Sequence, residues 1–161
     1  MAAGIGPQLA WSEIARPCGR GNPNRTWEAD MIRLLIVDDQ PAVRKGLHMR
    51  LEAEPDLMVV GEAPDGEAAL ELAQALGPDI VLMDVEMPHM DGIAAAHALQ
   101  SICPNISVIM LSIHDDARTR TCADKAGAAA FVPKAVPADL LLATIRQVRH
   151  RSEVAVMTGA F

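Results

Sequence analysis

The chain has 161 residues, half of them hydrophobic, and a formal net charge of −7. That length suits one domain with a sizeable core, and no apolar run approaches the ~20 residues that a membrane-spanning helix requires. The acidic balance argues against direct contact with nucleic acid, because affinity for a phosphate backbone rests on Lys and Arg displacing counterions.

Residues 1–30 mix Gly, Pro, Asn and Arg without a sustained period and read as a flexible N-terminal extension. Arg16, Arg20 and Arg25 balance Glu13, Glu28 and Asp30, so the whole negative charge falls in residues 31–161. The start lacks a basic region and is broken by Gly4, Gly6 and Pro7, unlike a secretory signal, and a cytoplasmic location is the expectation. Cys18, Cys103 and Cys122 are odd in number and include no Cys-x-x-Cys pair, which indicates reduced thiols rather than disulfides or a zinc site. Met31, where the character changes at once, is expected to be the functional start. Residues 31–150 then form the structured domain and 151–161 a C-terminal tail.

From Met31 strand-like and helix-like patterns alternate, the signature of βαβ units and a parallel sheet. A buried strand over about 32–37 leads to a helix opened by Pro41, with Val43, Leu47 and Leu51 on one face. A second strand, about 58–62, precedes Asp65-Gly66 and a helix through Leu70, Leu72 and Leu76, stopped by Gly77-Pro78. The third strand spans about 80–83, and its helix, about 92–101, ends at Cys103-Pro104-Asn105. The fourth strand spans about 107–111, with a helix over about 115–126 closed by Gly127. A short fifth strand, about 130–132, is followed after Pro137 by a last helix to about Arg149, with Leu141, Ile145 and Val148 inward. Arg146, Arg149 and Arg151 suit the negative end of that helix and are expected to cap it. Five strands and five helices make an α/β, doubly wound parallel sheet.

Polar residues stand where four apolar runs stop: Asp38-Asp39, Asp84, Ser112 and Lys134. In a helix-covered parallel sheet the carboxyl ends of the strands share one edge, where ligands bind. Three carboxylates, a hydroxyl and an ammonium therefore meet there. Crowded carboxylates repel and take up protons unless a cation joins them, so the set asks for a hard divalent metal and chemistry on something anionic.

Four ordered stretches carry a resemblance. They are Leu35-Ile36-Val37-Asp38-Asp39; Asp84 with Met87-Pro88-His89-Met90-Asp91-Gly92; Leu111-Ser112; and Gly127-Ala128 leading to Phe131-Val132-Pro133-Lys134. Together, over about residues 32–149, they resemble the receiver domain of bacterial two-component response regulators. The resemblance implies a flavodoxin-like (βα)5 fold with strand order 2-1-3-4-5. It makes Asp84 the carboxylate that takes a phosphoryl group from the phosphohistidine of a sensor histidine kinase. Asp39 would hold Mg²⁺ directly, Asp38 through water, and Asp84 and the backbone carbonyl of Glu86 would add oxygens, which suits a cation that keeps several waters. Lys134 and Ser112 would neutralise and hydrogen-bond the phosphoryl oxygens. Pro88 fixes one φ after the acceptor, and Gly92 is expected to permit a bend.

A phosphate adds roughly −1.5 to −2 charge, so Ser112 should be drawn toward it; in the family an aromatic on strand five then turns inward, and Phe131 holds that position. Glu86 and His114 flank the acceptor by spacing and are expected to pair across the site and tune the phosphate's lifetime. Two departures from the family stand out: many relatives have Thr where Ser112 stands, and Lys134 is followed by Ala135 rather than Pro, where relatives often have a cis peptide. A cis bond there costs ~2.5–4 kcal/mol unless the site enforces it.

The stretches Leu57–Ala63 and Leu111–Asp116 are similar to receivers that in relatives precede a helix-turn-helix DNA-binding domain. His150–Phe161 is too short for such a domain, so either a partner protein reads this surface or the chain is a truncated transcription regulator. Pairing with a second copy has two candidate faces, helices one and five or the helix four, strand five, helix five face. The rival class is a Mg²⁺-dependent aspartate phosphatase of the haloacid dehalogenase type. Glu86 stands two residues after Asp84 as such enzymes require, but there is no room for a cap and Asp84 follows the third strand, not the first.

Overall fold

The computed structural model of the chain describes residues 31–159. The expectations placed on the N-terminal extension, on Cys18 and on the last two residues lie outside them. Five parallel strands, β1 (Ile32–Val37), β2 (Leu57–Ala63), β3 (Ile80–Asp84), β4 (Ser107–Ser112) and β5 (Ala130–Pro133), form one sheet in the order β2-β1-β3-β4-β5. Each strand is followed by a helix: α1 (Pro41–Glu52), α2 (Gly66–Leu76), α3 (Gly92–Ile102), α4 (Ala117–Lys125) and α5 (Ala138–Thr158). This is the flavodoxin-like, doubly wound fold, and the strand order reverses between β1 and β3.

Helices cover both faces, so the inner strands are apolar on both sides. Leu35, Val37, Val81, Met83, Val108 and Met110 pack with the small residues of α2, α3 and α4, among them Ala69, Ala73, Ala95, Ala96 and Ala123. The alternate residues Leu34, Ile36, Ile80, Leu82 and Ile109 pack with Leu51 of α1 and Leu141, Leu142, Ile145 and Val148 of α5. Alanines on the first face let three helices lie close to the sheet, while leucine and isoleucine fill the second.

The helix starts follow the local chemistry. Asp65, Asp91 and Asp116 each accept a hydrogen bond from the backbone N–H three residues on, at 2.9, 2.7 and 2.9 Å. The helix α1 has no side-chain cap and relies on Pro41 in its first turn. Gly77 ends α2 in the left-handed conformation.

Two expectations need correction. The last helix does not stop near Arg149 but continues to Thr158, so most of the stretch read as a tail is helical. The arginines consequently sit in mid-helix, and two of them tie α5 to the rest of the domain instead of capping it. Arg146 reaches Glu54 at 2.8 Å and Asp56 at 2.7 Å, and Arg149 reaches Asp79 at 2.6 Å. Ser152 continues the contact, 2.9 Å from the hydroxyl of Ser107 on β4. The bond between Lys134 and Ala135 is trans, as are all peptide bonds among the described residues. No helix among these residues is long and apolar enough to cross a membrane.

Candidate functional site

Asp84 is the last residue of the central strand β3, in register with Leu111 of β4, and is 4% exposed. After it the chain turns back sharply: the Val85 N–H donates to the Leu111 carbonyl at 2.9 Å, and the Gly92 N–H to the Val85 carbonyl at 3.0 Å. A Cβ at position 92 would stand 2.0 Å from the Asp84 carbonyl oxygen, well inside any permitted contact. Glycine is required there because α3 starts against the backbone of Asp84. The expected role in a bend is thus replaced by close approach, and the left-handed residue of this loop is His89, at φ 68°.

The strand ends bring Asp38, Asp39 and Asp84 together, with one carboxylate oxygen from each within 4.8 Å of the others. Asp38 and Asp84 are buried, while Asp39 is more open. Lys134, from the loop after β5, places Nζ 2.7 Å from Asp38 Oδ2 and 3.2 Å from Asp84 Oδ1. Burial pushes the Asp84 carboxyl above the ordinary range; the nearby Lys134 charge opposes this and the Asp38 charge adds to it. For Lys134, burial disfavours the charge, but the hydrogen bond to Asp38 and the charges of Asp84 and Asp38 outweigh it and raise the pKa. The ammonium is therefore firmly charged between two acids, one of which carries its own charge at a cost.

The loop carrying Asp38 is held from several sides. Asp38 Oδ1 accepts from the Gln40 N–H at 2.9 Å, its N–H donates to the Ala63 carbonyl at 3.2 Å, and its carbonyl accepts from Arg44 Nη1 at 2.7 Å. Arg44 was not singled out from the sequence. The only signal for it is that a helix opened at Pro41 brings its fourth residue back over the loop before it.

Ser112 ends β4 fully buried, and its Oγ accepts from the His114 N–H at 3.0 Å, which leaves the hydroxyl proton to be donated elsewhere. Its carbonyl accepts from the Lys134 N–H at 2.7 Å, linking the β4 and β5 ends. Glu86 donates its backbone N–H to Asp84 Oδ1 at 3.3 Å, and its side chain lies 2.9 Å from His114 Nε2, both side chains being at least half exposed. Phe131 is half-buried on β5, and Arg120 of α4 covers it with its guanidinium 4.8 Å from the ring centre. Arg120 is paired in turn with Asp115. That stacking pair was not foreseen, since nothing in the spacing ties position 120 to position 131.

A hard cation of the Mg²⁺ type fits these donors. Three carboxylates converge on a single ammonium, the most exposed of them faces solvent that would supply the remaining waters, and the charge of Asp84, disfavoured mainly by burial, would be stabilised by a cation among them. The arrangement suits binding and transfer of an anionic group at Asp84.

Comparison with known proteins points the same way. Residues 34–146 match the response regulator receiver domain family. The chain is 36% identical over 125 residues to the transcriptional regulatory protein DegU of Brevibacillus brevis, covering 78% of this chain and 53% of that protein. It is 39% identical over 118 residues to the response regulator GacA of Pseudomonas aeruginosa, covering 73% of this chain and 55% of that one. The chain thus spans about half the length of these curated relatives. Among solved structures, the signal receiver domain of the putative response regulator NarL from Mycobacterium tuberculosis is similar, with a TM-score of 0.69 and 35% identity, covering 77% of this chain and 98% of that one.

Proposed function

The chain belongs to the response regulator receiver domain family, and on that footing we propose that it is switched by phosphorylation of Asp84, taking the phosphoryl group from a histidine kinase. The observation that carries this reading is the convergence of Asp38, Asp39 and Asp84 at one sheet edge with Lys134 touching two of them. In the transfer, an Asp84 carboxylate oxygen forms a bond to phosphorus while the bond from phosphorus to the donor's histidine nitrogen breaks, the electron pair leaving with the nitrogen. Asp84, fixed at the end of a fully buried strand, needs little reorganisation to present that oxygen. Lys134 would neutralise charge on the transferred group, and the Ser112 hydroxyl would donate to one of its oxygens. Asp38, Asp39 and Asp84, with the Glu86 carbonyl, would hold Mg²⁺, which when bound supplies further charge neutralisation. The domain acts on itself and turns over no separate substrate.

The output would follow from Ser112 moving toward the phosphoryl group and Phe131 turning into the space it leaves, which requires Arg120 to give up its stacking on the ring. Phe131 has no hydroxyl, so the α4–β5 surface would present an apolar edge to whatever protein or domain reads it. That DegU, named as a transcriptional regulatory protein, is about twice the matched length supports a DNA-binding output as the second reading. An aspartate phosphatase is disfavoured by the position of Asp84 on the third strand and would require turnover of a small phosphomonoester.

Incubation with acetyl phosphate or phosphoramidate and Mg²⁺, followed by intact mass, should show one added phosphate that Asp84→Asn abolishes; no gain, or a gain in the variant, overturns the proposal. Glu86 and His114, paired beside the acceptor, are proposed to hinder the hydrolytic water. Glu86→Ala should then shorten the phosphate's half-life about threefold or more, measured by loss of the added mass with time.

A further inference from the structure

We propose that Arg44 is a positioning residue for the acidic loop: its guanidinium holds the backbone of Asp38 against β2 and thereby sets the site's affinity for a divalent cation. This rests on reading Asp38, Asp39 and Asp84 as cation ligands. Arg44 touches no ligand oxygen of that set. Its Nη1 donates to the Asp38 carbonyl at 2.7 Å, and its Nε lies 3.4 Å from Glu62 Oε2, with the side chain only 17% exposed.

The far end of this link is braced as well. Glu62, on β2, has its other oxygen 2.5 Å from His48 Nδ1, and His48 Nε2 is 3.3 Å from Glu52 one turn further along α1. Arg44, His48 and Glu52 lie on one stripe of α1, so the helix grips the edge strand and the acidic loop together. The loop has need of this. The start of α1 carries no side-chain cap, and without Arg44 the Asp38 carbonyl would lose its side-chain partner, leaving the turn between Val37 and Pro41 held only by the Asp38 N–H to Ala63, the Gln40 N–H to Asp38 and Lys134, and freer to shift before the cation arrives. Groups that orient first-shell ligands commonly change metal affinity by ~10–100-fold when removed.

The competing expectation has the opposite sign. A guanidinium beside a cation site repels the cation, so if Arg44 acted only through its charge, removing it would tighten binding. A positioning role predicts weaker binding. Direction therefore separates the two without any appeal to magnitude.

The experiment is calorimetric titration of MgCl2 into the full unphosphorylated chain, comparing wild type, Arg44→Gln and Glu62→Gln. Arg44→Gln is expected to weaken Mg²⁺ binding about tenfold, and Glu62→Gln, which removes only the outer anchor, about threefold. In phosphorylation by phosphoramidate, the Mg²⁺ concentration for half-maximal rate should rise by the same factors while that of phosphoramidate stays put, a split that a general loss of folding does not produce. If Arg44→Gln fails to fold by circular dichroism, Glu62→Gln decides the matter. Binding as tight as wild type, or tighter, in a folded variant overturns the inference. Wild type that binds no Mg²⁺ overturns the metal reading beneath it, and the two failures are thus distinct.

Discussion

The two edges of the sheet use the same residue types to opposite ends. At the amino-terminal edge, Asp79 accepts the Arg33 backbone N–H at 2.9 Å and an Arg149 N–H at 2.6 Å, and Asp56 and Glu54 share Arg146. Buried Arg33 donates to the Leu76 carbonyl at 2.7 Å, closing the end of α2. At the carboxyl-terminal edge, three aspartates converge and a single lysine ammonium touches two of them, Asp38 and Asp84. Their ionisation reports the difference: hydrogen bonds from Arg146 hold the Asp56 carboxyl below the ordinary range, whereas burial pushes that of Asp84 above it. Acids matched to arginines secure the fold. Acids left in excess around one cation hold free energy that a ligand can release, which is why perturbed groups gather at functional sites.

Substitutions at the two edges should accordingly separate stability from phosphorylation. The largest effect is expected for Gly92→Ala, whose methyl would collide with the Asp84 carbonyl. It should cost about 3 kcal/mol in urea unfolding, and the folded fraction should also phosphorylate more slowly because α3 can only relieve the clash by displacing Asp84. Asp79→Ala, at the other edge, should cost about 2 kcal/mol by leaving a backbone donor and Arg149 without their acceptor, with the phosphorylation rate of folded protein unchanged. A slower rate there would mean the edges are coupled.

Asp84→Asn should instead stabilise the protein at neutral pH without Mg²⁺. The folded pKa of Asp84 is raised, so the native state binds its proton more tightly than the unfolded chain does. Its contribution to stability is present below the unfolded value near 3.8 and is lost as pH rises through the folded value. Urea midpoints measured from pH 3.5 upward should show wild type losing ground to the variant as pH rises; parallel profiles would show that burial does not raise the Asp84 pKa. The smallest effect is expected for His89→Gly. It relieves a left-handed residue in the loop after Asp84 and should gain about 0.5 kcal/mol in the same assay.

Much of this was legible in the chain because parallel strands announce themselves. Runs such as Leu34–Val37, Ile80–Met83 and Val108–Leu111 are apolar on both faces, and the polar residue that stops each one marks the shared edge. Strand bounds came within a residue or so for the same reason. Contacts between elements distant in sequence left no such trace. Arg146 and Arg149 looked like a helix cap because a basic cluster near a presumed terminus is the local explanation, and only the contacts of α5 with the α2–β3 and α1–β2 loops showed their acids. The reason for Gly92 was equally hidden, since a glycine before a helix reads the same whether it frees φ or makes room for a neighbouring carbonyl.

Periodicity and the polar stops of the apolar runs, properties of neighbouring residues, were enough to establish a parallel α/β sheet with acids, a hydroxyl and a lysine at one edge. Which carboxylates are matched and which are crowded was decided by folding alone. Ion pairs such as Arg149 with Asp79 and Lys134 with Asp38 join positions 70 and 96 residues apart. Electrostatic energy depends on distance in space and on burial, and neither is written in the order of the residues.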